Sequence, residues 1–272
     1  MNWMHAVTRL PLLVSLASIL ALSFVIPWLA VRAVRRVWPH PALEENNELV
    51  GFTYAVFGLI YGVLLAYTIV VAWERFAETE KNAMREATIL SELWRNADAF
   101  SFDTRTSVHL DLLRYAQSVA EEEWPTMAEH GAAEPRTIAA YEDLWSLSYT
   151  IAPENRSQEA FLQQFLERMN ELSSARRMRI MYSRNEVHAI LWVVLLIGSI
   201  MTVGYTLLFS SRHAWVHTAI TACIMLMSLL GLLVILSLQY PFTGDVSVKP
   251  EAFHDLILSF RLRMLPHHML LR

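Results

Sequence analysis

Apolar residues fall into four long runs along this chain: Leu10–Val31, Asn47–Glu74, Val187–Phe209 and Trp215 to about Tyr240. Each is long enough, as a helix, to cross a hydrocarbon core about 30 Å thick. Between the second and third runs the chain turns polar, but Trp73, Phe76, Glu80, Ala83, Ala87, Leu90, Trp94 and Ala97 still recur by threes and fours. That period predicts that the second span continues unbroken into a stalk reaching roughly 35 Å past Trp73. Ser101 and Asp103 read as start signals for a next helix carrying Val108, Leu112, Leu113, Tyr115 and Val119. Trp124-Pro125 and the stretch Glu129–Pro135 mark a far loop, with Gly131 and Pro135 as breakers. A third helix is predicted from Arg136 to Ile151, and a fourth from Glu154 through Phe161, Phe165, Met169 and Leu172. The pattern carries no hairpin signature and no repeat. It predicts an all-α membrane protein: a transmembrane pair (1–73), an extramembrane antiparallel helical bundle (74–186), a second transmembrane pair (187–242) and a C-terminal segment docking on the bundle (243–272).

Composition agrees. With 54% apolar and 18% charged residues, the chain is too hydrophobic for an ordinary soluble domain, yet it has a substantial aqueous part. The first run exceeds a signal-peptide core in length and lacks a small-x-small cleavage site, so it is read as a retained span. Cys223, the one cysteine, lies inside the fourth run and excludes an intrachain disulfide. A net charge of −4 gives no electrostatic case for nucleic acid. Arg75, Lys81, Arg85, Arg176, Arg177, Arg179 and Arg184 flank the spans on the bundle side, against Arg32, Arg35, Arg36 and Arg212 on the other. The positive-inside rule therefore puts the bundle and both termini in the cytoplasm, although the Arg32/Arg35/Arg36 cluster pulls the opposite way.

The second run carries the most information. Gly51, Ala55, Gly58, Gly62 and Ala66 share one narrow arc at helical spacing, a small-residue stripe suited to close helix–helix contact. Thr53, Phe57, Tyr61, Leu64 and Thr68 form an aromatic, weakly polar stripe on the opposite side, the candidate pore-lining face if this helix borders a water-filled pore. None of the four runs has Asp, Glu, Lys or Arg near its midpoint, which argues against a proton-coupled carrier and leaves a passive channel or a membrane-tethered scaffold.

Other chemistry is thin. His213 and His217 stand at i, i+4 and His267-His268 are adjacent, but no Cys or close acidic partner completes a metal set, so no metal and no cofactor is expected. Glu121-Glu122-Glu123 reads as a solvated charge run near the loop tip. No P-loop, nucleophile elbow, zinc-protease or dinucleotide motif is present, and nothing supports an enzyme. After the fourth run, Pro241 ends the helix and Gly244-Asp245 makes a turn. Val246 and Val248 then alternate like a short extended segment, and Pro250 precedes a last helix with Phe253, Leu256, Ile257 and Phe260. A second function remains open, a membrane scaffold or signalling protein whose far loop docks a partner through Trp124 and Met127.

Three segments together carry a resemblance: RRVWP (Arg35–Pro39), VGFTYAVFGLIYGVLLAYTIVVAWE (Val50–Glu74) and YPFTGDVSV (Tyr240–Val248). In these the chain resembles the bestrophin-like domain family of mainly bacterial membrane proteins, over nearly its whole length. The resemblance implies a homopentameric ion channel of the inner membrane, with four spans per subunit, a cytosolic helical bundle, and the lipid bilayer, further copies of itself and inorganic ions as partners. It also implies that the second span lines a central pore with a hydrophobic neck, placing Phe57, Tyr61, Leu64 and Thr68 towards the axis. The motif Pro241, Phe242, Gly244 and Asp245 is its second specific signature. Gln239 stands where the family often has an acidic residue, so no carboxylate role carries over there. Asp245, Glu251 and Asp255 are too scattered for the dense acidic clasp of calcium-responsive bestrophins.

Overall fold

A computed structural model describes Thr8 and residues 10–37, 47–184, 188–209 and 211–264. Nine α-helices and one π-helical turn are found among the described residues, with no strand among them. Four helices are long and apolar enough to cross a membrane: α1 (Leu12–Val37), α2 (Asn47–Ala97), α7 (Ala189–Thr206) and α8 (Ala214–Gln239). The chain divides into two compact units, one of residues 1–75 with 186–246, the other of 76–185 with 247–272.

In the span unit α1 packs along α8. At one end the Asp245 carboxylate accepts the first free backbone N–H of α1, Leu12 N to Oδ2, at 2.7 Å. At the other end the Arg35 guanidinium donates to the Ser211 carbonyl. Pro27 lies inside α1 and is buried, where neighbouring spans can compensate for its missing donor. The packed centre joins Trp192 and Leu195 of α7 to Leu232, Ile235 and Leu236 of α8, with Leu64 and Leu65 of α2 against them. In lipid such a cluster is held by close packing rather than by expulsion of water. Trp192 Nε1 also donates to Gln239 Oε1 at 2.7 Å, so the amide at the α8 exit serves as a helix tie.

The second unit is built of helices joined by short turns and loops. It comprises the polar half of α2, α3 (Phe102–Ser118), a π turn (Val119–Glu123), α4 (Trp124–His130), α5 (Pro135–Ser148), α6 (Arg156–Ser183) and α9 (Glu251–Met264). Gly131 ends α4 at φ 59°, a left-handed turn that favours glycine. Asn155 caps α6 by accepting Gln158 N at 3.0 Å. Leu90, Leu112, Phe165, Met169, Phe253 and Phe260 are wholly inside. α9 packs on α3. Trp94 is sandwiched between His109 at 3.7 Å and Phe260 at 4.0 Å, which joins α2, α3 and α9.

Several details differ from the pattern-based reading. Trp124-Pro125 opens a helix rather than a loop, because proline is tolerated in the first turn of α4. Helix α5 ends at Ser148, and α6 begins at Arg156. Val246 and Val248 form no strand, and the chain bends there instead. Trp38-Pro39, His267 and His268 lie outside the described residues.

Candidate functional site

The membrane half of α2 has two unlike faces, and the structure settles which one turns inward. Phe57 stacks on Tyr205 of α7 with ring centroids 5.6 Å apart. Tyr61 is buried, its ring lying over Gly198, where an added Cβ would meet it at 2.5 Å. Leu64 packs on the α7–α8 cluster. Thr68 is buried, its hydroxyl returned to Leu64 O at 2.8 Å. Thr53 is half-buried and bonds to Leu49 O at 2.9 Å. The expected pore stripe is thus a packing face against the other spans of the same chain. The small-residue stripe is open instead: Ala55, Gly62 and Ala66 are exposed, and an added Cβ at Gly58 or Gly62 meets nothing within 4 Å. Only Gly51 approaches a neighbour, Phe209, at 3.7 Å.

The face turned out from the protomer is apolar. Phe52, Leu59, Val63 and Val70 are 74%, 69%, 62% and 52% exposed and fall in one arc of the helix. No Asp, Glu, Lys, Arg or His interrupts α2 between Glu48 and Glu74.

At the α8 exit, Pro241 and Phe242 are buried and Gly244 adopts φ 82°. A Cβ there would lie 2.5 Å from Thr8 O, so both backbone conformation and space select glycine. Asp245 is occupied in capping α1. His217 is buried with Nε2 2.8 Å from Thr206 O. No group of three or more metal-ligating side chains occurs among the described residues.

Sequence reasoning missed the most polar feature of the second unit. Arg179 of α6 is fully buried, with Nε 2.7 Å from Glu86 Oε2 and Nη2 2.6 Å from Glu123 Oε2. Arg176 reaches the other Glu123 oxygen at 2.7 Å, and Tyr115 donates to Glu86 Oε1 at 2.7 Å. Burial alone would lower the Arg179 pKa, but the Glu86 and then the Glu123 carboxylate hold it above its ordinary value. Burial first, and then the charge of Glu86, push the Tyr115 phenol well up. The two guanidiniums balance the two carboxylates, as burial demands. Glu123 is therefore no part of a solvated run: the π turn, which adds a residue to the helical repeat, directs it inward. Trp124 and Met127 are buried beside it, Trp124 Nε1 donating to Val248 O at 3.0 Å and Met127 Sδ lying 3.3 Å from Arg179 Nη1. That removes the docking patch expected from these two side chains.

A family model for the bestrophin-like domain matches residues 21–253. Two single-substitution variants of a bacterial bestrophin homologue from Klebsiella pneumoniae superpose on the chain with TM-scores of 0.63 and 0.65. Each is 13% identical, with 90% and 91% of this chain and 98% and 99% of theirs covered. A further solved membrane protein gives a TM-score of 0.60 at 13% identity, over 90% of this chain and 98% of its own. No curated protein sequence matches significantly. At such identities the structural likeness is one of fold.

Proposed function

We propose that this chain, which belongs to the bestrophin-like family, is one subunit of a passive ion channel whose pore is built from the outward face of α2. Bestrophins are ion channels, and family membership together with the shared fold supports the class. The observation that carries the pore assignment is the exposed apolar arc of Phe52, Leu59, Val63 and Val70 on a span with no charge in its membrane half. In a symmetric homo-oligomer, a pentamer as in the family, this arc faces the axis. Ala55, Gly62 and Ala66 on its flank then let neighbouring subunits approach closely. A ring of Leu59 and Val63 would be a hydrophobic neck, closing to ions by dewetting and opening when hydrated. An ion passing it keeps its water, because no side chain there replaces the hydration shell. The protein would lie in a bacterial inner membrane with its bundle and both termini cytoplasmic, following the positive charges of the bundle side.

Planar bilayers holding purified protein test the proposal. The parent should pass current under chloride, sodium or potassium gradients, and Val63→Thr should raise it several-fold by wetting the neck. Silent bilayers, or currents unaltered by both Leu59→Thr and Val63→Thr, would remove the case for this pore.

A further inference from the structure

The Arg32/Arg35/Arg36 cluster opposes the orientation that the bundle-side cations favour, so membrane insertion does not account for it. Trp28, Arg32, Arg35 and Arg36 stand at i, i+4, i+7 and i+8 of α1, within about 100° of arc. Pro27 and Val31 fall on the adjoining, buried face, and α1 packs chiefly along α8. Trp28, Arg32 and Arg36 are accordingly exposed. Arg35, at the edge of the buried face, is half-buried and donates to the Ser211 carbonyl. That bond fastens the α7–α8 loop to the end of α1 and brings the exposed Arg212 with it.

Guanidiniums thus gather at one end of the span unit. Among the described residues none of Arg32, Arg35, Arg36 and Arg212 forms an ion pair. The Arg32 guanidinium instead lies over the Trp28 ring, 5.6 Å from its centroid. Depth along α1 places the group in the membrane. From Leu12 to Arg32 the helix rises about 30 Å, the thickness of the hydrocarbon core. With Leu12 at one boundary, Arg32 is at the other. Arg35 and Arg36 then lie about 4–6 Å further out, and Trp28 about 6 Å further in. Trp215, 73% exposed at the start of α8, marks the same boundary. Tryptophan rings favour this layer, and arginine stems reach from it to the phosphates.

We propose that the end of α1 and the α7–α8 loop bind an anionic phospholipid, with Arg32, Arg36 and Arg212 on its phosphate and Val25, Trp28 and Leu29 along its acyl chain. A guanidinium offers paired N–H donors that match two phosphate oxygens at once. Val25, Trp28 and Leu29 are 52%, 51% and 53% exposed one turn or so inward of the arginines, where an acyl chain lies. They favour a lipid over a free phosphate ion. Phosphatidylcholine brings its own cation to the phosphate and leaves the cluster uncompensated, whereas phosphatidylglycerol brings a net negative charge. Arg35 positions the loop through Ser211. The site depends neither on the pore reading nor on which end of the spans is cytoplasmic.

Native mass spectrometry of the full-length protein in detergent, titrated with dioleoylphosphatidylglycerol or dioleoylphosphatidylcholine, tests the site. The parent should bind phosphatidylglycerol at least several-fold more tightly. A cation near an anionic surface is worth about five-fold in affinity, so Arg32→Gln/Arg36→Gln/Arg212→Gln should weaken that binding by roughly 100-fold and abolish the preference. Arg35 is kept so that the loop stays tied. Lys81→Gln/Arg95→Gln/Arg177→Gln removes three exposed cations of the second unit, hence the same net charge, and should leave the preference in place. Inorganic phosphate at the lipid's concentration should not displace it. Equal affinity for the two lipids, an equal loss in both triple variants, or displacement by phosphate would each overturn the proposal.

Discussion

Replacing Arg179 by Met probes what holds the second unit in one conformation. The guanidinium is fully buried and bonds to Glu86 at 2.7 and 3.1 Å and to Glu123 at 2.6 Å. Arg179→Met keeps the volume over the Trp124 ring, which the guanidinium faces at 5.7 Å, but leaves two buried carboxylates with Arg176 as their remaining cation. Removing one partner of a buried pair costs about 3–5 kcal/mol, because the survivor stays desolvated without compensation. For a domain of this size that corresponds to a fall in melting temperature of roughly 10–25 °C. Tryptophan fluorescence of the full-length protein in detergent would read it. The double variant Glu86→Met/Arg179→Met separates charge from shape. Glu123 then keeps Arg176 at 2.7 Å, and only the Tyr115 hydroxyl loses its acceptor. About half of the lost stability should return. A single variant melting within about 5 °C of the parent, or a double variant less stable than the single, would refute the electrostatic account.

Two more outcomes follow from the geometry. His109 is stacked on Trp94, and burial first, then Arg105 and Arg263, lower its pKa below 6.5 against the opposing Trp94 carbonyl and Asp98. The folded protein thus prefers the neutral ring: its contribution is full above pH 6.5 and is lost as pH falls through the lowered value, so melting curves of His109→Gln should depend less on pH below 6.5 than those of the parent. Gly58→Leu/Gly62→Leu meets open space within the protomer, so native mass spectrometry should show loss of oligomer while the melting temperature of dissociated protomer is unchanged; a double variant as oligomeric as the parent would count against this stripe as a contact between copies.

The spans were legible because the bilayer imposes a length on apolar runs, and α2 could be followed to Ala97 because its apolar period outlasts its hydrophobicity. Helix α1 runs on to Val37, past the end of its apolar run, since Arg32, Arg35 and Arg36 are good helix formers whose charged ends reach the interface. Which face of α2 turns inward was not legible. Small residues on a helix invite a neighbour, but here the gaps that matter are on the partners: Gly198 receives Tyr61 and Gly231 receives Leu65. A single sequence shows both halves of such a fit without showing that they meet. The Glu86–Arg179 bond joins residues 93 apart, and the π turn that buries Glu123 has no distinctive sequence signal, so the ion network could not be read from spacing.

The bond between Leu12 N and Asp245 also sets an order of events during synthesis. The residue that caps the start of the first span is made 233 positions after it. At about 5–20 residues per second, α1 waits roughly 10–50 seconds for the carboxylate that completes its first turn. Through that interval its free N–H groups depend on headgroups or water, and α8, its packing partner, is still unmade. The first span is therefore the last to be fastened, and a chain released before Asp245 emerges carries an inserted but unlatched α1.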